Sequence, residues 1–185
     1  MPVSTETFEE LLETLKLAAA ALREANVRFV LGGGLAIWAR GGPETEHDVD
    51  FFVKADDAER AVDALAHAGF STEEPPEGWL HKAWREGILV DLIYRPRGIR
   101  VDDDFLDRAE ELEVHAVQMP VMRADDVLVA KLLAMREHQV DYDDVLEIAR
   151  SVREQIDWDE VRVRTNGSPY AKAFFTLVDE LGLSG

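Results

Sequence analysis

At 185 residues and 20.8 kDa, with 46% hydrophobic and 31% charged residues, the chain has the composition of one compact soluble unit, which excludes a largely disordered polypeptide. Its 38 acidic and 20 basic residues give a net charge of −18, which excludes a broad basic face for salt-driven binding to a phosphate backbone. Without cysteine there is no disulfide framework, thiolate zinc site or cysteine nucleophile, and no apolar run reaches the roughly 18 residues that a spanning helix needs.

The opening residues Met1 to Glu10 carry three acids and no positive cluster, so they do not read as a secretory signal, and a cytoplasmic location is expected. Phe8, Leu11, Leu12, Leu15 and Ala19 recur at helical spacing and predict a helix over 5–24, capped by Ser4 or Thr5. A short strand over 28–31 ends in Gly32-Gly33-Gly34, and residues 35–40 form a short helix closed by Gly41-Gly42-Pro43. A second strand spans 49–53, and a helix over 55–68 stops at Gly69. After the turn at 74–78, runs 80–85 and 88–94 flank Glu86-Gly87 as a hairpin. Residues 95–113 are polar, with Asp102-Asp103-Asp104 opening a short helix, and 114–122 hold a last edge strand with Pro120 at its margin. Helices follow over 125–137, 142–150, 158–164 and 169–181. The predicted fold class is therefore α/β (α+β): a small mixed twisted sheet flanked by helices over residues 1–120, then a helical segment over 121–185 packed on it.

Three carboxylates and a glycine run carry the chemistry. In His47-Asp48-Val49-Asp50 the aspartates stand two apart in a strand and share one face, their β-carbons roughly 7 Å apart. Carboxylates so placed suit divalent ions ~3.5–4 Å from each other, and hard oxygen ligands select magnesium or manganese. Asp91 is a lone carboxylate in the apolar run Ile88 to Tyr94, where burial calls for a compensating cation. Gly32-Gly33-Gly34, between a strand and a helix, lets a phosphate approach backbone N–H groups.

With these motifs the chain resembles the polymerase-β-type nucleotidyltransferase superfamily, on Gly33-Gly34, the Asp48/Asp50 pair and Asp91. The resemblance implies a nucleotidyltransferase core over 1–120. Its glycine turn would hold a nucleoside triphosphate and its three aspartates two magnesium ions, while a nucleoside monophosphate moves to an acceptor hydroxyl on RNA, protein or a small molecule. The segment Asp125 to Ala134 followed by Asp141-Tyr142-Asp143-Asp144 is similar to the later motifs of the abortive-infection (AbiEii-like) and toxin–antitoxin nucleotidyltransferases. This implies a catalytic and nucleotide-binding role for Lys131, nucleotide-site roles for Asp141 and Asp144, and an antitoxin or other protein partner. His47-Asp48-Val49-Asp50 is also similar to the pattern of aminoglycoside and lincosamide adenylyltransferases.

Two basic residues frequent in such enzymes are missing here: Glu44, Thr45, Glu46 and His47 precede the aspartate pair, and Val140 precedes Asp141. A second expectation is therefore a catalytically degenerate module that binds a nucleotide or a partner protein. Half of the net charge falls in residues 101–150, with fourteen acids and five bases. Over 79–100, by contrast, Lys82, Arg85, Arg95, Arg97 and Arg100 outnumber Glu86 and Asp91, so a short basic hairpin is expected at the site for a triphosphate or an acceptor, with Arg95 and Arg97 acting on substrate and Arg95 among the nucleotide-binding residues.

Overall fold

The computed structural model of the chain describes residues 5–45, 48–73, 75–76 and 78–184. Ser4, Glu46 and His47, named above, and positions 74 and 77 of the turn at 74–78 lie outside the described residues. Among the described residues, eight α-helices and seven strands follow in the order α1 (Thr5–Glu24), β1 (Phe29–Leu31), α2 (Gly33–Ala39), β2 (Val49–Val53), α3 (Ala58–His67), β3 (Ser71–Glu73), β4 (Leu80–Arg85), β5 (Ile88–Ile93), α4 (Asp103–Asp107), β6 (Glu110–Val114), β7 (Val117–Val121), α5 (Ala124–Ala134), α6 (Tyr142–Ser151), α7 (Trp158–Thr165) and α8 (Pro169–Glu180). The strands form one mixed sheet in the order β3-β4-β5-β2-β1-β7-β6. Its β2–β5 and β1–β7 pairs are parallel and the others antiparallel.

Side-chain alternation sorts the two faces of the sheet. Val49, Phe51 and Val53 on β2 and Val90 and Leu92 on β5 are buried, while Asp50 and Asp91 point the other way. The apolar stripe of α1, from Phe8 through Leu15 to Leu22, is buried in the same cluster that reaches α8 at Val178, so one core runs through the α/β part and the helical tail. Four helices open on an acid or a serine that accepts from the third residue on, as Asp102, Asp141, Asp157 and Ser168 do at α4, α6, α7 and α8.

Three local readings need correction. Glu110–Val114 is strand β6, not part of a polar loop; with Glu at three of five positions it shows little more than Leu112 and Val114 as a period-2 signal. The strand with Pro120 is not at the margin, because β7 lies between β1 and β6. Its ladder to β1 registers only Leu31 with Val121, one residue beyond Pro120, so the missing N–H interrupts no pairing there. The three-residue edge strand β3, Ser71-Thr72-Glu73, has no apolar residue that could have announced it.

α5 is held from inside. Asp125 and Asp126, in its first turn, are buried, and Asp126 receives Arg108 Nε at 3.2 Å and Arg164 Nη1 at 2.5 Å. Glu160 on α7 binds the same two arginines at 2.7 and 3.0 Å. Removing Asp126, the buried member of the set, leaves Arg108 and Arg164 to share Glu160 alone as hydrogen-bond acceptor. Asp126→Ala is thus expected to lower unfolding free energy by about 3–5 kcal/mol, read from urea denaturation, while Glu160→Ala at the more exposed rim costs clearly less.

Candidate active site

One row of residues crosses the sheet. Lys82 on β4 is in register with Asp91 on β5, and Asp91 with Asp50 on β2, whose carbonyl accepts the N–H of Gly32 at 2.8 Å. Register-paired residues share a face, so the ammonium and both carboxylates project from the same side. Asp48, just before β2, joins them: one carboxylate oxygen from each of Asp48, Asp50 and Asp91 lies within 4.8 Å of the others. Asp91 Oδ1 is buried and accepts no hydrogen bond among the described residues; its nearest cation is Lys82 Nζ at 3.6 Å, beyond hydrogen-bond length.

Three buried or half-buried acids so close repel one another. Burial, and then the charges of Asp48 and Asp91, push the Asp50 carboxyl up to about 8, with Lys131 and Lys82 offsetting only part. Burial likewise raises Asp91 to about 6, against the pull of Lys82. An oxygen-only donor set, an orphaned buried oxygen and carboxyls whose ionisation is disfavoured by burial and by one another together fit a hard divalent ion.

The glycine turn touches this group. Gly33 opens α2 at φ +58, and a β-carbon there would overlap the Asp50 carboxylate. Between the turn, the sheet and α5 lies a cleft of about 440 Å³ whose walls include Asp50, Phe52, Trp79, Ile93, Met122 and Lys131. Arg95, Arg97 and Arg136 also line it, and none of the three pairs with a carboxylate among the described residues, in a chain where acids outnumber bases by 38 to 20.

Residues 11–173 match the family described as "Nucleotidyl transferase of unknown function (DUF2204)". The chain belongs to this nucleotidyltransferase family. No curated protein matches it by sequence. Among solved structures it is similar to the antibiotic-resistance factor ANT(2'')-Ia, with a TM-score of 0.65 and 13% identity over 92% of this chain and 96% of that one. It is also similar to the lincosamide antibiotic adenylyltransferase LnuA, with a TM-score of 0.52 and 15% identity over 80% and 96%. A putative nucleotidyltransferase from Thermotoga maritima gives 0.51 and 20% identity over 62% and 78%. These likenesses establish the fold alone, a mixed α/β arrangement shared with those structures.

In this nucleotidyltransferase Asp48, Asp50, Asp91, Gly33, Lys131 and Arg95 gather on one side of the sheet. Gly34 sits one residue into α2, where a β-carbon would come 2.6 Å from Thr45 Oγ1, so its smallness serves the approach of the chain that leads into Asp48. Lys131 Nζ binds Asp144 Oδ2 at 2.7 Å, while Asp141 is engaged as the cap of α6, accepting Asp144 N–H at 3.1 Å. Both aspartates line a second, wider cavity of about 1170 Å³ beyond Lys131 rather than the cleft itself. Of the five cations over 79–100, Lys82 faces Asp91, Arg85 faces Glu86 at 3.8 Å and Arg100 faces Asp102 at 3.6 Å, which leaves Arg95 and Arg97 for the cleft.

Sequence reasoning missed Arg136 and the Lys82–Asp91 register, which depends on pairing between strands. Away from the cleft, His115 Nε2 lies 3.2 Å from Glu9 and 3.8 Å from Glu13 on α1, in a group that is largely exposed. Among the described residues no helix is long and apolar enough to cross a membrane.

Proposed function

We propose that the protein transfers a nucleoside monophosphate from a nucleoside triphosphate to an acceptor hydroxyl, with Asp48, Asp50 and Asp91 holding magnesium or manganese. The observation that carries this reading is the carboxylate trio packed through Asp50 against Gly33, which sets the oxygens that would hold the ions beside the turn that would seat a phosphate. Bound divalent ions supply charge neutralisation for the pentavalent phosphorus and the departing pyrophosphate. The chain's own residues orient the substrates. The turn at Gly33-Gly34 offers backbone N–H groups to the triphosphate, and Lys131, at the meeting of the two cavities, gives up part of its hold on Asp144 to reach it. Asp144 and, through its cap, Asp141 position that lysine. Arg95, Arg97 and Arg136 supply further positive charge, which offsets the basic residues missing before Asp48 and Asp141. The apolar walls at Phe52, Trp79 and Ile93 exclude water from the anhydride. In this reading residues 1–120 form the catalytic core and 121–185 the helical segment that closes the cleft. No covalent protein intermediate is required.

The acceptor is a hydroxyl of RNA, protein or a small molecule; the tail motif supports a cytoplasmic enzyme of a toxin–antitoxin pair. The test incubates the protein with each α-labelled nucleoside triphosphate, magnesium and, separately, total tRNA, a protein extract and aminoglycosides. Label is expected in one acceptor class and none with Asp48→Ala. Nucleotide binding without transfer to any class would instead establish a binding module.

A further inference from the structure

The cleft has two unlike ends. At one, Asp50 stands in register with Asp91, beside Gly33 and Lys131. Two residues further along the same strands, roughly 7 Å away, Phe52 and Ile93 stand in register on the same face and form an apolar floor. Beyond that floor the chain turns out of β5, and the N–H groups of Tyr94 and Arg95 both donate to the Trp79 carbonyl at 3.1 Å, which holds Trp79 and Arg95 past the apolar row. The wall formed by α5 runs in the same order: Lys131, then Ala134 one turn on, then Arg136 in a turn whose backbone is tied to that of Gln139 at 3.3 and 2.9 Å. Both walls thus pass from the catalytic charges through apolar surface to an arginine that meets no carboxylate among the described residues. A triphosphate at the first end leaves its nucleoside over Phe52 and Ile93, with the edge of the base turned to the second. A guanidinium only donates, so it matches a base edge that presents acceptors and opposes one that presents an amino group. Of the two purines, guanine offers O6 and N7 side by side as acceptors, whereas adenine sets an N6 amino donor beside N7.

We propose that Arg95 and Arg136 read the base of the nucleoside triphosphate and select a 6-oxopurine over a 6-aminopurine. This rests on the nucleotidyl-transfer reading above and adds to it which base is carried. The charge of the two arginines adds to the potential at the triphosphate, while their donors serve the base.

Inosine and adenosine triphosphates differ only in the group at C6 and the N1 proton that goes with it, so equilibrium dialysis of the two, each α-labelled, against the full chain in magnesium tests the inference without an acceptor. Wild type is expected to hold inosine triphosphate about tenfold more tightly than ATP. Arg95→Ala and Arg136→Ala are each expected to bring that ratio toward one, chiefly through lost affinity for inosine triphosphate. A wild type that binds the two equally, or ATP more tightly, overturns the inference. So do alanine variants that weaken both nucleotides by the same factor, which would put the arginines on the phosphates, or that leave both unchanged. Those outcomes leave the transfer reading standing, whereas a wild type that binds neither nucleotide removes that reading and the inference with it. Should an alanine variant lose its near-ultraviolet circular dichroism, Arg95→Lys and Arg136→Lys keep the charge but lose the planar fork, and are judged by the same outcomes.

Discussion

Replacing Asp50 with asparagine is expected to cost on the order of 10³-fold in nucleotidyl transfer and, in metal-free buffer at pH 8, to make the protein more stable. The two effects have one origin. Asp50 lies in the carboxylate trio and its carboxyl is pushed up to about 8, first by burial and then by Asp48 and Asp91. A carboxyl whose folded pKa lies above its unfolded value near 3.9 gives the fold stability that is complete below that value and is lost as pH rises through the folded one. Asp91, raised to about 6, adds loss of the same sign at lower pH. The metal-free melting temperature of the wild type should therefore fall between pH 4 and pH 8, and magnesium should restore more of it at pH 8 than at pH 5.5, where protons compete for the same oxygens. Asp50→Asn removes the largest part of this dependence. Each kcal/mol recovered corresponds to about 2–4 °C at this chain length, so scanning calorimetry at pH 5.5 and 8 resolves it. An asparagine variant that melts below wild type at pH 8 without metal would refute the account.

The second large effect is expected at Gly33. Alanine there carries two penalties: a left-handed backbone at φ +58, which costs an L-residue about 1–2 kcal/mol, and a β-carbon that overlaps the Asp50 carboxylate. Relief of the overlap has to move Asp50, since β2 is tied on both sides to β1 and β5. Gly33→Ala should therefore lose about 2–3 kcal/mol of stability and roughly 10²-fold or more in turnover, with divalent-ion affinity weakened in parallel. Gly41→Ala is the matched control. It too stands at positive φ, but its β-carbon would meet nothing within 4 Å, so only the strain is expected, without loss of ion binding.

What could be read from the sequence follows from which interactions are local. Asp48 and Asp50 share a face because a strand repeats every two residues, so their pairing is legible within three positions. Asp91 was legible as an anomaly, a charge in an apolar run. Lys82 was visible only as one basic residue among five, since its meaning lies in the β4–β5 register with Asp91. The arginine–carboxylate set around Asp126 was hidden for the same reason: Arg108, Asp126 and Arg164 are far apart in the chain, and two aspartates in a helix's first turn ordinarily suggest a solvated end. Elements that fill a core announced themselves, as α1 and β2 did to the residue. The strands that do not, β3 and β6, were the ones lost, because an edge strand buries too little to leave a hydrophobic pattern.

Those two strands also give part of the −18 charge a use of its own. An open sheet ends in two rows of unpaired backbone groups that invite another chain to pair with them. Here one end is β3, three residues long and fully exposed, and the other is β6, with Glu110, Glu111 and Glu113 in five positions. Shortness guards the first edge, and repulsion between like-charged copies guards the second. These three glutamates thus bear on behaviour at high concentration, where they keep neighbouring molecules from extending one sheet into a fibre.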